Sequence, residues 1–283
     1  MTVRSYYLPR SLPEALGLLA ARGSELLVLA GGTVAMPLIN EGISLPEEVM
    51  GLRMAGLDRL DREKDVLRIG ATATLTQLLN QDAVPVLAEA ARNTASWSVR
   101  NMATVGGNLF TPPPGGDVAV ALLALDAGVV LAGPAGQRVV PMDEFYTGFM
   151  TNQVGPDELL VELRVPVRDG GTAYLKLGRK HASTPSVVTV AVRVGWHGQR
   201  VSGARVALGA VGPHPIRVPE AERLLVGSGL EPDAIEAAAA SAARECQPFT
   251  DGIATDWYRR RMAGLFVRRA LEQLAPGARG EGR

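Results

Sequence analysis

Two glycine pairs constrain this chain more than any other feature. The first lies in Ala30-Gly31-Gly32-Thr33 and the second in Thr104-Val105-Gly106-Gly107-Asn108. Residues 25–30 form a short apolar run with the length of a buried strand, and Gly31-Gly32 breaks it sharply. Adjacent glycines permit positive φ and let a ligand or another backbone come close. Successive N–H groups of such a turn converge on one concavity, which suits a diphosphate. Thr33 is placed to add a hydroxyl donor and to cap a short helix through Met36 to Asn40, with Pro37 in its first turn. The second pair repeats the pattern, with Thr104 before it and Asn108 after it. Singly, each reads as an ordinary tight turn. Together they fit a dinucleotide gripped at its diphosphate from two sides, and both loops are expected to lie outside the core. The residues alone do not name the dinucleotide. They do argue against a Rossmann site, which needs G-x-G-x-x-G and an acid about 20 residues on. Here the first loop reads Ala-Gly-Gly-Thr-Val-Ala.

Charge narrows the partners. The 283 residues carry 29 basic and 29 acidic side chains. A neutral chain has no electrostatic pull toward nucleic acid or an anionic membrane. A phosphate must then be held mainly by local backbone N–H groups. Cys246 is the only cysteine, so this chain alone makes no disulfide, Cys₄ zinc site or iron–sulfur cluster. His181, His197 and His214 show no ligand spacing, and no metal site is expected. The N-terminal residues lack a signal-peptide core, and no apolar run approaches the roughly 20 residues of a membrane span. A cytoplasmic protein is the expectation. No nucleophile or acid–base pair stands out, so no catalytic residue is assigned. The run Arg259-Arg260-Arg261, with Arg268-Arg269, reads as a solvated or subunit-facing surface.

The length suits one large domain or two to three smaller ones. Ser11 caps a helix that has Pro13 and Glu14 in its first turn and Gly23 at its end. Strands are expected at 66–70, 129–131, 138–140 and 159–165, and helices at 74–79, 86–93 and 117–125. A polar, glycine-rich shift at 167–171 marks a boundary. Beyond it come strands at 173–177, 187–194 and 201–208, then helices at 233–244 and 256–274. Residues 276–283 are expected to fray. The class is α+β.

Further motifs follow in order. The chain opens on Tyr7-Leu8-Pro9-Arg10-Ser11-Leu12-Pro13-Glu14-Ala15. Gly115-Gly116-Asp117 leads into an apolar helix, and Met142-Asp143, Phe145-Tyr146 and Pro156-Asp157-Glu158-Leu159-Leu160 come after it. Tyr174-Leu175-Lys176-Leu177-Gly178-Arg179-Lys180, Ala204-Arg205-Val206-Ala207-Leu208-Gly209 and Pro215-Ile216-Arg217 complete the set. With the two glycine loops, this ordered set resembles the FAD-binding subunits of molybdenum hydroxylases. That family includes the medium subunit of aerobic carbon monoxide dehydrogenase and the flavin domain of xanthine dehydrogenase.

The resemblance implies a two-subdomain FAD-binding domain of the PCMH (vanillyl-alcohol-oxidase-like) type over residues 1–168, divided near 55. A small α+β C-terminal domain over 172–275 follows. It also implies site residues. Ala30, Gly31, Gly32, Thr33 and Val34 match one loop on the FAD diphosphate, and Thr104, Val105, Gly106, Gly107 and Asn108 match the other. Asp117 matches a carboxylate that contacts the cofactor, Leu160 an apolar residue lining the flavin site, and Lys176 a lysine at that site. By their own chemistry, Asp117 reads equally well as a helix-capping carboxylate and Lys176 as a solvated strand lysine. The chain departs from the family at Ala182-Ser183-Thr184-Pro185, which lacks an acidic residue, and at Thr94, where the xanthine dehydrogenase line has an aromatic.

The implied function is electron transfer through non-covalent FAD. Electrons would come from [2Fe–2S] clusters on a small partner subunit and a molybdenum cofactor on a large one, and pass to NAD, a quinone or oxygen. A dimer of heterotrimers is the implied assembly. A single cysteine agrees with clusters held elsewhere. The alternatives are a stand-alone FAD-dependent oxidoreductase acting directly on a small substrate, and a flavin-free scaffold. The substrate is not legible, because another chain would read it.

Overall fold

The helix expected near the N-terminus forms at Leu12–Arg22. The Ser11 side chain accepts from the Glu14 N–H, and Gly23 ends the helix at φ 60°. It belongs to a computed structural model that describes residues 3–111, 116–180 and 183–276. Gly115, His181, Ala182 and the tail 277–283 lie outside the described residues. Beside this helix, strands Ser5–Tyr7, Glu48–Gly51 and Leu26–Leu29 form a parallel sheet in that order.

Next comes an antiparallel sheet of five strands, in the order Leu60–Glu63, Val66–Gly70, Leu159–Pro166, Gly128–Gly133, Gly136–Pro141. Strand alternation sends Val130, Ala132, Leu159 and Val161 to one face, where they meet Ala15, Leu19, Leu26 and Met50. Leu67, Ile69, Val129, Leu131, Leu163 and Val165 go to the other face. Four short helices cover it: Leu75–Leu79, Pro85–Arg92, Val105–Leu109 and Asp117–Ala124. A register shift between Leu160 and Glu162 changes the parity of the central strand. Leu160 thereby joins Leu163 on the helix-covered face.

A second antiparallel sheet runs Gly171–Gly178, Ser186–His197, Arg200–Gly209, Ile216–Arg217. Tyr174, Ala191 and Ala207 face the helix Asp117–Ala124. Val188, Val190, Val192 and Val194 face the helices Pro219–Leu225, Pro232–Glu245 and Asp256–Glu272. The helix Asp117–Ala124 is therefore covered on every side, and all of its residues are buried. A helix apolar all round suits only such a place.

Three local expectations fail for physical reasons. Thr33 caps nothing: the helix Ala35–Asn40 has Val34 at its N-cap and no side-chain cap. The second glycine pair is not a turn but lies within the helix Val105–Leu109, with the Thr104 hydroxyl accepting from the Gly107 N–H. Nor is this segment outside the core, since Val105 and Leu109 are buried in it. The arginine run is not one surface, because consecutive helical residues point about 100° apart. Arg259 is fully buried and donates to the carbonyls of Ser186, Val187 and Ala210 and to both Asp251 oxygens. Arg260 donates to the carbonyls of Ala243 and Arg244 at the end of a neighbouring helix, and Arg261 lies over Trp257.

Candidate functional site: a loop of free N–H groups and a buried ion pair

Missing side chains bring the two glycine segments together. A Cβ on Gly31 would collide with the Met102 carbonyl oxygen and sit 2.9 Å from its carbon. Met102 and Ala103 lead directly into the second segment. Gly32 turns the chain at φ 71°. Gly106 rests on Ala71, where an added Cβ would lie 2.7 Å from the carbonyl oxygen. The sequence expected the two segments to converge, and the structure brings them into contact.

Their chemistry differs. No backbone carbonyl among the described residues accepts from the N–H groups of Gly31, Gly32, Thr33 or Val34. Gly31, Gly32 and Thr33 are half-buried and Val34 is exposed, so these donors line a surface that an anion can reach. In the second segment the N–H groups of Val105 to Asn108 are already engaged. Val105 donates to Ala73 O, Gly106 to Ala71 O, Gly107 to the Thr104 hydroxyl and Asn108 to Thr104 O. The Asn108 side chain also has a partner, accepting from the Val118 N–H at 3.0 Å. It thus caps the buried helix. The first loop keeps its backbone donors free, whereas those of Val105 to Asn108 are used within the fold.

Asp117 and Lys176 meet. Lys176 Nζ lies 2.6 Å from Asp117 Oδ2 and 3.0 Å from Asn93 O. Ser186 Oγ donates to Asp117 Oδ1 at 2.6 Å. The two charged side chains are only 7% and 8% exposed, so Lys176 is not a solvated strand lysine. Asp117 does not cap its helix either, since its carboxylate accepts from two strands of the C-terminal sheet. A buried pair with its hydrogen bonds made is tolerated where a lone charge is not. Lys176 therefore offers the site a neutralised dipole, not an open positive charge. The Tyr174 hydroxyl, two residues before Lys176 on the same strand face, is buried without a partner among the described residues. Burial pushes its phenol pKa up, and the Asp117 and Glu89 carboxylates add to this.

Leu160 is buried on the sheet face that packs against Val105 and Leu109. Thr94 is buried, and its hydroxyl donates to Ala90 O at 2.7 Å. His214 stacks on Tyr146 at 5.6 Å, and His197 is exposed at a strand end. No group of three potential metal ligands occurs among the described residues. No helix among them is long and apolar enough to cross a membrane. Ser186 and Asn93 escaped the sequence reading, which holds no signal for a serine starting a strand or for a carbonyl oxygen.

Known proteins decide the family. The model of the FAD binding domain in molybdopterin dehydrogenase matches residues 2–168, and that of the CO dehydrogenase flavoprotein C-terminal domain matches 172–274. The chain belongs to the FAD-binding medium subunits of molybdenum hydroxylases. It is 35% identical over 273 residues to the carbon monoxide dehydrogenase medium chain of Hydrogenophaga pseudoflava, covering 94% of this chain and 95% of that one. A solved carbon monoxide dehydrogenase from the same organism, lacking the Mo-pyranopterin moiety, superimposes with a TM-score of 0.92 at 34% identity, over 96% and 97% of the two chains. Quinoline 2-oxidoreductase from Pseudomonas putida 86 gives a TM-score of 0.90 at 26% identity, over 97% of each. The α+β architecture, with an FAD-binding part followed by a C-terminal part, is that of these medium chains. This chain is an oxidoreductase subunit with FAD as its cofactor.

Proposed function

We propose that this chain holds FAD non-covalently and carries electrons from a partner's iron–sulfur clusters to an acceptor. The observations that carry this reading are the run of unengaged N–H groups from Gly31 to Val34 and the buried, neutralised Asp117–Lys176 pair. Gly31, Gly32, Thr33 and Val34 hold the diphosphate through backbone donors, with Ala30 at the strand end that precedes them. Thr104, Val105, Gly106, Gly107 and Asn108 keep that loop in place and complete the pocket wall. Asp117 accepts from cofactor hydroxyls, Leu160 lines the flavin side, and Lys176 orients Asp117. Val34, Met36 and Met102 flank the loops as exposed apolar side chains and suit the flat rings of a dinucleotide.

Bound FAD supplies the redox chemistry, collecting two electrons from [2Fe–2S] clusters and passing them to NAD, a quinone or oxygen. The clusters belong to a small partner subunit and the molybdenum cofactor to a large one, in a dimer of heterotrimers. Cys246 is buried and single, which agrees with clusters held by another chain. In the same reading the chain divides at 168–172, and its first part divides again near 55. The ranges of the two family matches support the first of these divisions.

Native purification tests the reading. Flavin absorption with co-purifying iron and molybdenum is the expected result. An active, flavin-containing homo-oligomer without either metal would favour a stand-alone oxidoreductase. A colourless protein that takes up no FAD would overturn the reading.

A further inference from the structure

We infer that Ser186 is a positioning residue of the FAD site, and that through it the C-terminal helix Asp256–Glu272 is coupled to cofactor binding. This rests on Asp117 and Lys176 being FAD-site residues. The Asp117 carboxylate could by itself turn about its terminal torsion. Two donors prevent this, one on each oxygen: Lys176 Nζ at 2.6 Å on Oδ2 and Ser186 Oγ at 2.6 Å on Oδ1. They come from neighbouring strands, whose ends are paired through Gly178 and Ser186. The Ser186 side chain is itself buried, at 1% exposure. No water competes for its hydroxyl.

Ser186 is held from behind. Its carbonyl accepts from Arg259 at 3.1 Å, and the same guanidinium nitrogen reaches the carbonyls of Val187 and Ala210. The other terminal nitrogen grips both Asp251 oxygens at 2.9 Å. A fork with fixed geometry, anchored on a carboxylate, fixes the strand end that carries the hydroxyl. On the other side, Asp117 opens the helix that Asn108 caps, so one hydrogen bond ties the second glycine segment to the helix that carries the carboxylate. Loss of the Ser186 hydroxyl leaves Asp117 with a single donor and free to follow Lys176. Its second oxygen is then no longer aimed where the cofactor hydroxyls must meet it.

The test is FAD affinity of the full chain, stripped of flavin and titrated by flavin fluorescence. Ser186→Ala should bind FAD about tenfold more weakly, the size of one hydrogen bond to a charged group. Ser186→Thr, which keeps the hydroxyl, should restore affinity. In an Asp117→Ala background, Ser186→Ala should add nothing, because its effect passes through that carboxylate. A purely structural serine would give additive losses instead. Parental affinity in Ser186→Ala, with affinity lost in Asp117→Ala and Lys176→Met, would overturn the role of Ser186 alone. Parental affinity in Asp117→Ala and Lys176→Met as well would overturn the site reading and this inference with it. Should Ser186→Ala not fold, Ser186→Thr against the equally sized Ser186→Val asks the same question. Weaker binding in the valine variant supports the role, and equal binding overturns it.

Discussion

At the residue scale the glycines separate into different jobs. Gly31 is a contact, because its missing Cβ lets the loop lie on the Met102 carbonyl. Gly32 is a conformation, at φ 71°, with only the flexible Met36 side chain 3.3 Å from an added Cβ. Gly31→Ala should therefore lower stability by about 1–3 kcal/mol and push the two segments apart. Gly32→Ala should cost about 1 kcal/mol of backbone strain. Urea unfolding and FAD titration of both variants check this, and a milder effect at Gly31 than at Gly32 would refute the assignment. A glycine pair is legible because few residues tolerate such crowding. The Asp117–Lys176 pair was not legible as a pair, because 59 residues separate its members and neither carries a local pattern. The same holds for Arg259, whose run of neighbours suggested surface until helix geometry sent each arginine a different way.

Elements were legible where a cap or a period marked them. Ser11, Gly23 and Thr74 sit at helix ends, as their types require, and the strands alternate from Val66 to Ile69 and from Val161 to Pro166. Short elements carry too little pattern. The strand Glu48–Gly51 and the helices Trp97–Arg100 and Pro219–Leu225 went unseen for that reason. The second glycine segment misled in another way. Glycine lowers helix propensity, yet the Thr104 cap and the close approach to Ala71 outweigh that here. Its last residue then serves the following helix. Asn108→Ala removes the acceptor of the Val118 N–H in a fully buried place and should cost about 1–3 kcal/mol. Asn108→Asp keeps an acceptor and should retain more stability, while weakening FAD binding through repulsion from a phosphate. Thermal melts and FAD titrations of the two variants would show this. Equal stability in both would mean that the cap contributes nothing.

For the whole molecule, a second carboxylate besides Asp117 joins the helical layer to the C-terminal sheet. Asp126 follows the buried helix at φ 54° and faces arginines from three successive strands. Arg193 lies at 2.9 Å, Arg205 at 2.7 Å and Arg217 at 3.8 Å, with Arg168 at 3.0 Å. Arg217 also pairs with Glu222 and Asp143, both nearer to it than Asp126 is. Burial works against the ionised Asp126, but Arg205, Arg193 and Arg217 outweigh it and hold its pKa below the usual carboxylate value of 3.8. A carboxyl whose pKa falls on folding adds stability at every pH above its unfolded value. That contribution disappears as pH drops through the folded value. Asp126→Asn keeps the shape and tolerates the left-handed backbone, so it isolates the charge. At pH 7 the variant should be less stable by about 1–3 kcal/mol, since Arg193 is left half-paired in a nearly buried position. Below pH 3.8 the gap should shrink, as the parent carboxyl takes up its proton. Urea unfolding of both proteins at pH 7 and pH 3 measures the two gaps. A gap independent of pH would assign the loss to shape, and no gap at pH 7 would remove Asp126 as a residue that ties the two layers together.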